Sequence, residues 1–186
     1  MPYRVPIGLA VFAGAVITLV IALIATGLLH LYRVPSSAME PTLHCPQPDN
    51  GCEGSTPDRI VSLRWPGWSP GRGDIVAVRT PPLAVVRCGA GGIFVKRVIG
   101  LPGERWAERS GFVYIDGKRL GEPYVKPDRR DSRTVGPVRI PPGRYFVEGD
   151  NRNFSCDSRA WGTVARKSIV GKIVATYWPP GRVTIR

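Results

Sequence analysis

The sequence predicts a mainly β domain, a β-barrel or folded-over sheet, preceded by one N-terminal transmembrane helix. Three observations predict it. No charged residue lies between Arg4 and Arg33. Beyond residue 55 the chain consists of short runs rich in Val, Ile, Tyr and Phe, the residues that suit a pleated, half-buried surface. Between those runs sit most of the 22 glycines and 19 prolines of the 186 residues, a usage well above the ordinary and hostile to long helices. With 43% hydrophobic residues the chain is too apolar to remain disordered, and its length suffices for one core.

The first element is the run from Ile7 to Leu29, IGLAVFAGAVITLVIALIATGLL. As a helix it would reach roughly 35 Å at ~1.5 Å per residue, enough to cross ~30 Å of hydrocarbon. Thr18 and Thr26 alone break its apolar surface, whereas a buried soluble helix would show a polar stripe. A cleavable signal peptide is the competing reading, helped by the small pair Ser36-x-Ala38. Its apolar region would be shorter, however, at ~7–15 residues. The reading is a flank at 1–6, a retained signal anchor at 7–31 and a β-rich domain at 34–186. Arg4 and the amino terminus face only His30 and Arg33 across the span, so charge leaves orientation open.

Within the domain, strands are expected at 58–65, 74–79, 84–87, 92–100, 111–120, 143–150, 168–178 and 182–186. Asp116-Gly117 after an apolar run signals a hairpin. No segment outside the anchor holds a 3.6-residue pattern for three turns.

The four cysteines favour an oxidising, outward-facing compartment. Cys45 and Cys52 bracket the loop CPQPDNGC, which a disulfide would staple. The alternative, zinc on His44 with these cysteines, lacks a fourth ligand at a recognisable spacing, so no metal and no cofactor is expected. Cys88 and Cys156 either pair or stay free. The net charge of +12 raises nucleic-acid binding, but the arginines are scattered singly and no such motif is present. Anionic membrane lipids are the simpler partner. Trp65, Trp68, Tyr177 and Trp178 are candidates for the membrane interface, with the core as the other reading for Trp65 and Trp68.

Three segments carry chemistry: VPSSAMEPTL at 34–43, FVKRVIGLPGE at 94–104 and GDNRNFSCDSRAWGTV at 149–164. In the second, Lys96 shares a strand face with Phe94 and Val98. Burial there would disfavour the ammonium form. An ordinary lysine is only ~0.1% neutral near pH 7.5, and a drop of ~2–3 units would raise that about a hundredfold or more. Such an amine can act as general base. Neither His30, beside the membrane, nor His44, in a loop, offers an obvious alternative. On its strand alone Lys96 also reads as an edge or snorkelling lysine.

These segments, with RGDIV at 72–76, resemble in sequence and order the boxes of bacterial type I signal peptidases, the membrane-bound Ser–Lys endopeptidases of the S26 family. The resemblance implies a single-pass protein of the bacterial cytoplasmic membrane with an extracytoplasmic peptidase domain at 34–186. It implies removal of signal peptides from exported preproteins after small-x-small sites, usually Ala-x-Ala. Lys96 would be the general base and Ser36 would add its hydroxyl to the oxyanion hole. Ser155 would orient the lysine amine, Asp157 and Arg159 would stiffen the nearby loop as an ion pair, and Met39 would help line the substrate pockets. A relative specialised for pilin precursors would share the same boxes.

The chain departs from the family at one position. Aligning Pro35, Met39, Pro41, Thr42 and Leu43 on the first box puts the nucleophilic serine at 38, where this chain has Ala38. A methyl group cannot attack a carbonyl, and loss of such a serine costs on the order of 10⁶ in turnover elsewhere. Three accounts stand: a Ser→Ala change that stops self-digestion or traps substrate, a natural non-catalytic relative that binds signal peptides, or use of Ser37. In an extended segment Ser37 would point to the opposite face.

Overall fold

The computed structural model describes residues 7–46 and 51–186, so the expected flank at 1–6 and residues 47–50 of the cysteine loop lie outside the described residues. Helix α1, Ile7–Ala25, is apolar on every side, and none of Gly8–Ala25 is buried by the rest of the protein. A helix hydrophobic all round needs an apolar medium, and its span of about 28 Å matches a bilayer core.

The helix is shorter than the expected 7–31 segment. It stops because Gly27 adopts a left-handed conformation (φ 69°). Gly27 N–H then bonds Ile24 O at 3.0 Å, and Leu28 N–H bonds Leu23 O at 3.0 Å, which closes the last turn and satisfies its carbonyls. The final apolar residues become strand β1, Leu29–Arg33.

The remaining strands are β2 (Arg59–Leu63), β3 (Ile75–Arg79), β4 (Ile93–Gly100), β5 (Arg105–Arg109), β6 (Phe112–Ile115), β7 (Lys118–Arg119), β8 (Val135–Arg139), β9 (Arg144–Glu148), β10 (Val164–Ala165), β11 (Ile169–Trp178) and β12 (Thr184–Ile185). The larger sheet runs β1-β2-β11-β3-β4-β9-β10, with β12 also on β11. A smaller sheet runs β7-β6-β5-β8. Every strand pair is antiparallel, and register shifts interrupt β11 against both of its long neighbours and β4 against β9. Such irregularities bend a sheet and increase its twist. The mainly β expectation holds, and Asp116-Gly117 does connect β6 to β7.

One expected strand is a helix. Residues 84–87 fall in α2, Pro82–Cys88, which a proline opens and Gly89 closes in a left-handed conformation. Its only fully buried side chain, Ala84, packs into the core with Trp161 of α3, Ser158–Trp161. Four strands escaped the sequence reading, the two-residue β10 among them. β1 was hidden in the anchor, while β5 and β8 carry too many charges and small residues to read as strands. Yet Trp106 and Glu108 of β5 both face inward.

The apolar core has three parts. One packs Val76, Val78 and Val98 with Tyr145, Val147 and Trp161. A second packs Val34, Met39, Leu43, Ile60 and Ile173, and a third joins the smaller sheet through Trp106, Ile140 and Phe146. The first two flank β3 and β4 and thereby fix β4, whose residues Ile93, Phe94, Val95 and Lys96 line a groove. Trp68 packs partly against the first, with the Arg166 guanidinium 5.0 Å above its ring. Trp65 and Trp178 are exposed.

Candidate active site

The segment 34–43 is not extended throughout, as the reading of Ser37 assumed. Ser36 is extended (φ −133°, ψ 157°), and Ser37–Met39 form a 3-10 turn. That turn removes the strict alternation of faces. Ser37 is buried and its Oγ is packed at Gly51, 3.2 Å from where a side chain on that glycine would begin. Ser36, Ala38 and Met39 instead line a groove of about 440 Å³, and Ser37 does not. The turn thus keeps Ser37 away from the nucleophile's place by packing rather than by strand alternation.

The turn is gripped from behind by the first residues of the third box. Asn151 N–H donates to Ala38 O at 3.1 Å and its side-chain amide donates to Ser37 O at 3.1 Å. Gly149 lies so close that a Cβ there would sit 2.3 Å from Ala38 O and 2.3 Å from Ser155 Oγ. Only glycine permits that approach.

Lys96 comes from the middle of β4, in register with Val76 of β3. It lines the same groove as Ser36, Ala38, Met39, Phe94 and Phe154, although the residue is only 3% exposed. Its Nζ lies 5.4 Å from the Phe94 ring centroid. Among the described residues no carboxylate reaches it within ion-pair distance. Burial therefore dominates and lowers its pKa to about 8, against an upward pull from Asp157 and Asp150 and a further downward push from Arg159. At pH 7.5 about a quarter of such an amine is neutral.

Asp157 and Arg159 do pair, with Nη2 2.8 Å from Oδ2 and Nε 2.9 Å from Oδ1. The pair is buried rather than superficial, at 0% and 1% side-chain exposure. Burial would raise the Asp157 carboxyl, but the Arg159 guanidinium, aided by Lys96 and Ser155, carries it below its usual value. Its oxygens also accept from Gly149 N–H and Arg159 N–H. Ser155 Oγ is buried near this carboxylate, yet it makes no hydrogen bond of regular geometry and none to Lys96 among the described residues. The expected Ser155–Lys96 bond is therefore not formed here.

Arg97, Asp150 and Arg152 carry structural roles that the sequence reading did not assign. Arg97 donates to Asp150 through Nε at 2.8 Å and Nη2 at 2.6 Å, and Thr42 Oγ1 donates to the same carboxylate. One aspartate thus ties the first, lysine and third boxes together. Below it, Arg152 is fully buried between Glu122 and Glu148. Charges inside strand runs, in KRVIG and FVEGD, were the available signal.

The residues of the alternative zinc set are otherwise engaged. Cys45 and Cys52 form a disulfide, as do Cys88 and Cys156. His44 Nδ1 lies 2.6 Å from Glu40, whose carboxylate also accepts N–H bonds from Cys45 and Glu53. Glu40, His44 and Glu53 lie close together, but their polar atoms already satisfy this loop.

The family model described as "Signal peptidase, peptidase S26" matches residues 8–178. A "Probable signal peptidase I-2" of Synechocystis sp. is 38% identical over 152 residues, covering 81% of this chain and 63% of that protein. A "Signal peptidase I" of Bacillus licheniformis is 33% identical over 174 residues, covering 88% of this chain and 85% of that one. A solved signal peptidase I from Enterococcus faecalis V583 aligns with 34% identity and a TM-score of 0.46, over 57% of this chain and 97% of that chain. The chain spans less than two thirds of the Synechocystis relative's length.

Proposed function

The chain belongs to the signal peptidase, peptidase S26 family, and from that premise we propose that it is a membrane-anchored Ser–Lys endopeptidase in a form lacking its serine. Its substrates are signal peptides of exported preproteins, cut after small-x-small sites. One observation carries the reading: a lysine amine kept from water opens on the same groove as Ala38 and Ser36.

With serine at 38, the neutral Lys96 amine takes the hydroxyl proton as the oxygen attacks the scissile carbonyl. The oxyanion that forms is met by the Ser36 hydroxyl and the N–H of residue 38. The lysine ammonium then protonates the leaving amine, and an ester to residue 38 remains. In the second half Lys96 deprotonates a water, which cleaves the ester and restores the hydroxyl. Ser36 is exposed at the mouth of the turn, so its hydroxyl is unencumbered for this role. Asp157 and Arg159 act by fixing the segment behind the lysine.

An extended peptide would lie along the groove that both the 32–36 segment and β4 line. Main-chain hydrogen bonds would supply affinity, and small pockets beside Met39 and Phe94 would select small residues. The exposed Trp65, Tyr177 and Trp178 are offered to the lipid interface. Two disulfides support an oxidising, extracytoplasmic side.

Ala38 favours a second reading, a tethered domain that holds signal peptides without cutting them. Cleavage of an Ala-x-Ala preprotein by Ala38→Ser separates the two. The expected gain is on the order of 10⁴-fold or more, abolished again by Lys96→Met. No gain on restoring the hydroxyl defeats the peptidase reading and leaves the binder.

A further inference from the structure

The Cys88–Cys156 disulfide has no part in the mechanism above, yet both of its residues line the groove that holds Ala38 and Lys96. Cys156 lies between Ser155 and Asp157, both buried beside the lysine site. Cys88 ends α2. The bond joins positions 68 apart in sequence, with Cα atoms 6.0 Å apart.

What it fastens is otherwise held by one buried side chain of α2 and, at the far end, by Gly92 bonded to Thr80. α2 has seven residues, too few for a helix to be stable alone. It buries Ala84 while Val86 is 79% exposed and Leu83 and Val85 are exposed as well. After it, Gly89, Ala90, Gly91 and Gly92 lead into β4, with Ala90 and Gly91 forming groove wall. A glycine-rich stretch imposes little order by itself. Its other end runs directly into Phe94 and Lys96.

We propose that the Cys88–Cys156 disulfide is a positioning pair for the lysine site: it clamps α2 and the glycine-rich stretch against the Ser155–Asp157 segment and so keeps water from the Lys96 amine. The inference rests on the reading of Lys96 as the base. The charged groups acting on that amine are Asp157, Arg159 and Asp150, while β3 presents Val76 in register with it. Opening the clamp has two opposed effects. Water entering the groove favours the ammonium, and a retreating Asp157 disfavours it. Burial is the largest influence on this lysine, so the net change on opening is an upward shift in its titration.

The test uses the chain as it stands, with ¹³Cε-labelled lysine followed by NMR against pH. Five lysines are present, and Lys96 is assigned by the signal lost in Lys96→Met. With the disulfide intact the midpoint is expected near 8, and in Cys88→Ala/Cys156→Ala it should rise by about a unit or more. Cys45→Ala/Cys52→Ala should leave it in place. A midpoint near 8 in both disulfide variants overturns the proposal while leaving the lysine reading intact. Equal shifts in both overturn it too, since they mark general loosening. A midpoint near the ordinary lysine value in the intact chain removes the base reading itself, and the proposal with it. If Cys88→Ala/Cys156→Ala does not fold, a phosphine reductant is added to folded Cys45→Ala/Cys52→Ala, where an unmoved Lys96 signal overturns the proposal.

Discussion

At neutral pH the native chain holds Lys96 where its ammonium form is disfavoured, and the fold bears that cost. Below about pH 8 the lysine is charged in both native and unfolded chains, and the native state carries the full desolvation penalty. Between about 8 and the ordinary lysine value the unfolded chain binds more protons, so stability contributed through this group rises with pH. Asp157 works in the opposite sense. Its depressed pKa contributes stability above the ordinary carboxylate range, and that contribution fades as pH falls through its native value. Lys96→Met removes the buried charge and keeps the volume. It should raise the unfolding free energy near pH 7 by roughly 1–3 kcal/mol, with the advantage shrinking above pH 8 when denaturant melts are compared across pH. A methionine variant that is less stable at pH 7 would show that the amine is well solvated.

Among the elements, the third box and the nucleophile turn depend on one another through Gly149. A methyl there collides with Ala38 O and Ser155 Oγ, so Gly149→Ala must push the two apart. Overpacking of this kind costs about 1–3 kcal/mol. In the Ala38→Ser background it should lower cleavage at least a hundredfold while lowering the melting temperature only modestly; a cleavage rate within a few-fold of the parent would show that the two segments yield without cost. The glycine was legible in the sequence as part of GDN, but the reason for it was not, because the contact spans residues far apart in the chain. The same limit explains most of what the sequence missed. The buried place of Lys96 was readable from its local motif, and the long strands from Val and Ile runs. The 3-10 turn at Ser37–Met39 was not, because Asn151 holds it from a distance. Nor was α2, whose short Val-Val run suggests a strand until Pro82 and Gly89 are weighed as start and stop. Glu148 and Arg152 drew no assignment from the sequence, and only the tertiary fold buries them together.

For the whole molecule, helix α1 ends before Gly27 and the last residues of the expected anchor pair into the sheet as β1, and this changes what can be removed. β1 pairs along its full length with β2, while Tyr32 and Val34 pack into the core part that carries Met39. Arg64 N–H also bonds Leu28 O at 2.8 Å, which seats the end of β2 at the helix exit. A chain lacking residues 1–28 keeps this edge strand and should melt cooperatively. One lacking 1–33 exposes the edge of β2 and strips cover from the nucleophile turn, so it should melt lower and cleave poorly even a short soluble peptide. In the Ala38→Ser background the 1–28 deletion should retain activity on that peptide within a few-fold. It should lose much more, about a hundredfold, on a preprotein embedded in vesicles, because tethering raises the effective concentration of groove and membrane-bound substrate. Equal losses on both substrates would mean that α1 serves the fold of the groove rather than its delivery to the bilayer surface.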